Sequence, residues 1–422
     1  MPARRALERP AVRLRSRSKR STMKFRLLLI FALTMINALA TAGHGQSFQV
    51  LHDFGAGEDG TVPYGVAAAR SGEVFGVTGG GGANGSGTAF ALSFVNGAWQ
   101  EAVIHSFSFF VDGSPDSGVA LDAYGNIYGT AAGGPQGKAV VYELSRGDGW
   151  ASNILYDSGA GPGVTINGGS SVFGAIGPGD HLAGAIAELS PSQNGWIYSP
   201  LYSFCSLPKC VDGYDVKWPL TLDAKGDIYG ATYFGGNGYG LAFELSHNLA
   251  SSSASGSWTY HIMHAFGSFP TDGGYPGSGL VLDKLGNAYG VSYNGGANGD
   301  GAVYKLTPIT AAPGAWAETQ IYNFPSDLQT GGFPVGNLVF DQAGNLYGSA
   351  GGGTGCNAFG CGVIFKLTPQ KNGQWSYSVV HYFNGQDGFG PNPLAIDQNG
   401  NLFGTTQSGG TYNLGVAFEI TP

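Results

Sequence analysis

An aromatic residue followed by glycine recurs seven times along the chain, as Phe75-Gly76, Tyr128-Gly129, Phe173-Gly174, Tyr229-Gly230, Tyr289-Gly290, Tyr347-Gly348 and Phe403-Gly404, at intervals of 45 to 60 residues. Self-similarity at such a period marks a repeat architecture, in which each unit buries its apolar face only against its neighbours. A length of 422 residues therefore need not mean two or three domains. Six residues before the aromatic stands Asp122, Asp223, Asp283, Asp341 or Asp397, with Asn167 and Ala69 in the two deviating units, and three residues before it stands Gly in all units but the one with Ser170. Such segments, for example Leu338 to Ala350, read as strand, turn, strand. The Asp carboxylate accepts N–H groups across the turn and Gly takes the left-handed position. These aspartates are accordingly expected to be structural.

Each hairpin is followed by a Gly-rich loop and a third strand of period two, such as Ala302 to Leu306 or Val416 to Ile420. A fourth segment then starts near a Trp and ends in an aromatic, as from Trp258 to Phe266. Four strands in a unit of this size make a propeller blade. The last unit lacks a fourth strand, whereas Phe48 to Phe54 near the other end matches one. The prediction is an all-β, seven-bladed β-propeller with four-stranded blades, closed by the N-terminal strand pairing with the C-terminal blade. Closure removes two sheet edges that would invite aggregation.

Charge and cysteine content bound the compartment. Ten of the 20 Lys and Arg lie between Arg4 and Arg26, ahead of an apolar run from Leu27 to Ala40 that ends among small residues. This is a secretory signal pattern, too short to span a membrane comfortably. Residues 1–46 are expected to be the signal peptide, with Met23 a possible start, and 47–422 a single repeat domain. Beyond the basic segment stand ten bases against 27 acids, a net of −17, which disfavours nucleic acid and anionic membrane as partners. The four cysteines form two close pairs, Cys205 with Cys210 and Cys356 with Cys361. In an exported chain these read as disulfides; four intervening residues and no His cluster make a poor metal site. No metal or cofactor is expected, and the mature protein is expected to be a monomer.

The segments LFGTTQSGG at 402 to 410, GVIFKLTP at 362 to 369 and LYSFCSLPKCVDG at 201 to 213 resemble the units of the Gloeo/Verruco (GloVer) tandem-repeat family of secreted bacterial proteins. The resemblance spans nearly the whole mature chain and implies an extracellular repeat propeller without an established activity. Unit three departs from it at 171 to 184.

Repetition also acts as a control on candidate chemistry, because a residue type that recurs at one unit position is explained by blade packing. Six tryptophans, Trp99, Trp150, Trp196, Trp258, Trp316 and Trp375, precede a His or Tyr by six residues and are read as blade residues. His52, His105, His264 and His381 alternate at that ring position with Tyr156, Tyr202 and Tyr322, so packing accounts for them better than proton transfer. No G-x-S-x-G, H-E-x-x-H or Walker-type loop occurs, and no catalytic residue is assigned.

Function is expected where units differ. The loops between second and third strands, and those joining one blade to the next, emerge on one face. They carry Tyr214, Asp215, Trp218, Tyr233, Tyr239, Tyr275 and Tyr293, together with Asp112, Asp212, Asp272 and Asp387. Aromatic faces beside carboxylates suit neutral polyols. A carbohydrate or an extracellular protein is the expected ligand of a non-catalytic module, the alternative being a glycoside hydrolase or polysaccharide lyase. The Cys205 to Cys210 bridge would stiffen the first of these residues.

Overall fold

The computed structural model describes residues 46–421 except 56, 169–170, 182, 249–256, 268–271, 313 and 357–359. The predicted signal peptide thus lies outside the described residues but for its last position. From Phe48 onward the chain is one compact unit, a seven-bladed β-propeller of four-stranded antiparallel blades. The fourth blade, for example, runs outward from Thr221–Leu222 through Ile228–Thr232 and Leu241–Asn248 to Ser257–Ala265. In the seventh, Ser47–Asp53 is the outer strand beside Val416–Thr421, as the complementary ends of the sequence predict.

The buried side chains fall into seven clusters, one at each contact between adjacent blades, and the cluster of Phe54, Val66, Val74, Phe90 and Leu92 with Phe403 and Ala417 closes the ring. The aromatic-Gly pair is explained by these contacts. Its aromatic packs toward the next blade's Trp, as Phe75 on Trp150 at 5.5 Å and Tyr289 on Trp375 at 5.9 Å between ring centroids. Its glycine is needed for space rather than for left-handed backbone. A Cβ on Gly76 would meet Phe90 at 2.4 Å, and one on Gly348 would meet Phe365 at 2.6 Å, so the ring of the third strand lies over the bare backbone of the second.

The hairpin aspartates are structural, as expected. Asp283 accepts the Leu285 and Asn287 N–H groups at 2.8 and 3.0 Å, the Asn287 amide at 2.7 Å and the Tyr289 hydroxyl at 3.0 Å. Burial alone would raise its pKa, but these four donors hold the carboxyl below its ordinary value. The stabilisation is therefore present above the unfolded-state pKa and lost as pH falls through the lower folded one. Asp283→Ala is expected to cost about 2 kcal/mol at neutral pH and less in acid, read from denaturant midpoints at the two pH values.

Both predicted disulfides are present, Cys205–Cys210 and Cys356–Cys361. Among the described residues no helix is long and apolar enough to cross a membrane.

Candidate functional site

Each blade's inner strand is broken or shifted near its middle, and the breaks define the axial region. In blade five Gly273–Pro276 and Val281–Leu282 flank such a break, and in blade six the register with the second strand shifts between Val335 and Val339. At the loop-face end, Val62, Asp215, Tyr275 and Phe333 occupy the same unit position, all with left-handed φ between 50° and 64°. Bulky residues rarely adopt this conformation, and it costs on the order of 1–3 kcal/mol. It is held by hydrogen bonds to the preceding blade: the N–H groups of Val62, Tyr275 and Phe333 bond the carbonyls of Leu414, Tyr239 and Asp300 at 3.1, 2.7 and 2.7 Å.

This geometry brings Tyr275, at the start of blade five, onto the loop of blade four. Its ring lies 5.2 Å from Tyr233, 6.1 Å from Phe234 and 5.5 Å from Tyr239. Tyr214 stacks on Phe234 at 5.3 Å. Lys217 adds charge to the same surface, with its ammonium 3.8 Å from the Tyr233 ring centre and 3.3 Å from the Asp215 carboxylate. Five predicted residues, Tyr214, Asp215, Tyr233, Tyr239 and Tyr275, thus form one aromatic ledge. Beside it a depression of about 320 Å³ is lined by Tyr239, Tyr275 and Asn294. At the position of Tyr233 the first, second and sixth blades carry Gly79, Ala132 and Gly351, too small to build such a surface.

The remaining two lie to either side. Tyr293 pairs with Phe333 at 5.4 Å, one blade further round. Trp218 lies on the wall of an axial cavity of about 560 Å³, its indole N–H given to the Pro276 carbonyl at 3.1 Å. Asp215 and Lys217 border both the cavity and the ledge. The other walls come from blades one, two, three, six and seven and include Tyr64, Asp116, Asn337, Asn392 and Gln407.

Asp116 was not singled out by the sequence. Desolvation raises its pKa, against a 2.6 Å hydrogen bond received from the Thr130 hydroxyl. Tyr64 is raised too, by burial and then by Asp116. Nor does the repeat pattern mark Lys217, although it is one of only ten Lys and Arg outside the N-terminal segment.

Four aspartates of the loop face have a different role. His52, His105, His264 and His381 bond Asp59, Asp112, Asp272 and Asp387 through Nε2 at 2.7 to 3.1 Å. The Tyr202 hydroxyl donates to Asp212 at 2.7 Å. Each of these carboxylates also accepts loop N–H groups, Asp212 from Ser206 and Leu207 and Asp112 from Ser108. Asp112, Asp212, Asp272 and Asp387 are therefore recurrent loop staples, not ligand contacts by virtue of variability. Burial would raise Asp112, but the His105 and Ser108 bonds hold it below its ordinary pKa. Asp212 also anchors the Cys205 to Cys210 loop, in which both cysteines and Lys209 have left-handed φ. Among the described residues no group of three or more His, Cys, Asp or Glu is arranged to hold a metal ion.

No protein-family model matches the chain, and no curated protein sequence matches it significantly. Solved structures similar to it include a gluconolactonase from Xanthomonas campestris (14% identity over 91% of this chain and 92% of that one, TM-score 0.39). A PQQ-bound aldose sugar dehydrogenase from Streptomyces coelicolor is similar at 12% identity over 90% and 99% of the two chains, TM-score 0.41. A luciferin-regenerating enzyme is similar at 11% identity over 90% and 96%, TM-score 0.43. Likeness at these values carries nothing about the chemistry of the loop face.

Proposed function

We propose that this chain is a secreted, non-catalytic binding module of the GloVer repeat type, and that its ledge on blades four and five holds neutral glycans. The observation that carries the reading is the contiguous set Tyr214, Phe234, Tyr233, Tyr275 and Tyr239 beside the Lys217–Asp215 pair. Flat rings stack on the apolar faces of sugar units while adjoining polar groups bond their hydroxyls. Two disulfides support a compartment outside the cytosol.

The test is a glycan array followed by calorimetric titration of the best ligand. Tyr275→Ala is expected to weaken binding about tenfold, the equivalent of about 1.4 kcal/mol. Trp316→Ala, at a blade contact, is expected to lower the melting temperature and leave the affinity of the folded protein unchanged. Equal affinity of Tyr275→Ala and the parent protein would overturn the ledge as the site.

A carbohydrate-active enzyme is the second reading, favoured by one observation. Asp116 is a carboxyl on a cavity wall with a raised pKa, and Asp215 beside Lys217 lines the same cavity. Two carboxyl groups in unlike surroundings are what acid and base roles require. Turnover of aryl glycosides or polysaccharides, abolished by Asp116→Asn, would promote this reading over the first.

A further inference from the structure

The axial cavity differs from the ledge in shape and in lining. It is walled by inner-strand residues of six blades, so it is a well on the propeller axis and not a groove crossing the face. A second cavity, of about 440 Å³, lies at the hairpin turns of blades one to three and shares no lining residue with the first. A chain lying on the ledge can therefore reach the axial cavity from the loop face, past Lys217 and Trp218. Residues of six blades surround that cavity, so a linear chain enters it by an end and not along its length. Ledge and cavity meet at residues common to both, Asp215 and Lys217.

The chemistry of the walls points the same way. Trp218 and Tyr64 supply aromatic surface, and Asn337, Asn392 and Asp116 supply both donors and acceptors. Part of each polar group is already committed to the fold. The Asn392 amide nitrogen donates to the Pro63 carbonyl at 2.7 Å and to Thr405 at 3.0 Å. The Asn337 oxygen accepts the Gly279 N–H at 2.8 Å, and Asp116 Oδ1 accepts from Thr130 at 2.6 Å. These bonds fix the three side chains in place. The Asn392 oxygen, the Asn337 amide nitrogen and Asp116 Oδ2 are left for a ligand. Prefixed donors and acceptors bind at low entropic cost, and a volume of about 560 Å³ lies within the roughly 300–1,000 Å³ of small-molecule sites. Two carboxyl groups face one ammonium already paired with Asp215, which disfavours an anionic occupant.

We propose that the axial cavity is a chain-end subsite, taking the neutral terminal unit of a glycan whose following units lie on the aromatic ledge. The protein on this view recognises ends of a polymer and not its interior. The inference rests on the glycan-binding reading of the ledge and narrows its ligand.

The experiment compares neutral hexasaccharides of β-1,4-glucan, mannan and xylan with the same chains blocked at either end by a bulky aryl or benzylidene group, and with uronate-terminated chains. Titration calorimetry is run on the mature protein and on Asp116→Asn, Gln407→Trp and Tyr275→Ala, each checked for an unchanged melting transition. Gln407 is exposed at the cavity wall, so Trp there narrows the well with little effect on the blade. Free-ended chains are expected to bind at least tenfold more tightly than chains blocked at one particular end, and uronate-terminated chains to behave like blocked ones. Asp116→Asn and Gln407→Trp are expected to remove that preference while retaining the residual ledge affinity, and Tyr275→Ala to weaken every neutral chain. Equal affinity for free and blocked chains, with Tyr275→Ala still weakening both, would overturn the cavity assignment and spare the ledge. Absence of binding by all three hexasaccharides at millimolar concentration would overturn both.

Discussion

Removal of residues 47–55 is expected to destabilise the propeller more than any single core substitution, beyond about 5 kcal/mol. These residues supply a whole strand of the seventh blade, and Phe54 and Leu51 belong to the cluster that closes the ring. Phe54 is fully buried, 5.0 Å from Phe90 of blade one, and its N–H bonds the Gly415 carbonyl of blade seven at 3.0 Å. Phe48 stacks on His381 at 3.7 Å, and Asp53 accepts from Thr411 at 3.0 and 3.1 Å. Without the segment, blade seven exposes the edge of Val416–Thr421, and the contact between blades seven and one loses Leu51 and Phe54. Phe54→Ala alone is expected to cost about 3–5 kcal/mol, which gives a graded readout should the truncated chain fail to fold. Unchanged denaturant midpoints in both variants would show that the strand does not close the ring.

The second large effect concerns pH. The residue two places after each blade-edge Trp, or Phe48 at the matching place of the N-terminal strand, lies against the ring that stands six places after the preceding blade's Trp, a place that His52 takes in the N-terminal strand. Tyr260 stacks on Tyr202, Tyr377 on Tyr322 and Phe48 on His381, at 3.7 to 4.0 Å. At two contacts this place holds a carboxylate: Glu318 near His264, and Glu101 near His52. Burial, with a further contribution from Asp272 and against one from His264, pushes Glu318 from 4.5 up to about 7. One of its oxygens is buried without a hydrogen-bond partner, as is the neighbouring Tyr304 hydroxyl. Glu101 is raised by burial and Asp59, opposed by His52.

A raised carboxyl favours the protonated folded state. The contribution of Glu318 is therefore fully present below about pH 4.5 and is lost as pH rises through about 7. Ionising it in place costs about 3 kcal/mol at full weight and about half that once its partial exposure is allowed for. Glu318→Gln is expected to match the parent near pH 4.5 and to exceed it by about 1–2 kcal/mol at pH 8. The comparison is read as the difference in denaturant midpoint between the two proteins, which cancels the other titrating groups. A difference independent of pH would mean that Glu318 titrates alike in the folded and unfolded states.

Much of the propeller was legible because its determinants are local. The Asp-x-x-Gly turn, the alternation of the third strand and the Trp of the fourth lie within one unit, and seven copies of the unit average out the noise of any one. The unpaired strand at each end announced closure in the same way. The repeat marks the histidines as packing residues, but it presents Asp112, Asp272 and Asp387, which three of them bond, as variable loop residues. Loops of different length place Asp59, Asp112, Asp272 and Asp387 six to eight residues after their histidines, which hides the pairing from an alignment by position.

The seven units, their closure and the two cysteine bridges follow from the sequence by itself, since each is a statement about periodicity or about residues a few places apart. The tertiary structure alone decided what the loop face can hold. Trp218 could be recognised as the one Trp outside the repeat position, yet its place on the cavity wall depends on where Pro276 of the next blade offers a carbonyl. Asp116 and Asn392 meet at one cavity although they lie far apart in the sequence, because the closed ring turns the inner strands of blades two and seven toward one axis. The raised pKa values of Asp116 and Glu318 have the same origin: desolvation is set by what the neighbouring blades exclude. A repeat specifies its own fold through short-range order. Its binding chemistry arises only where inner strands converge, a distance relation that no single unit encodes.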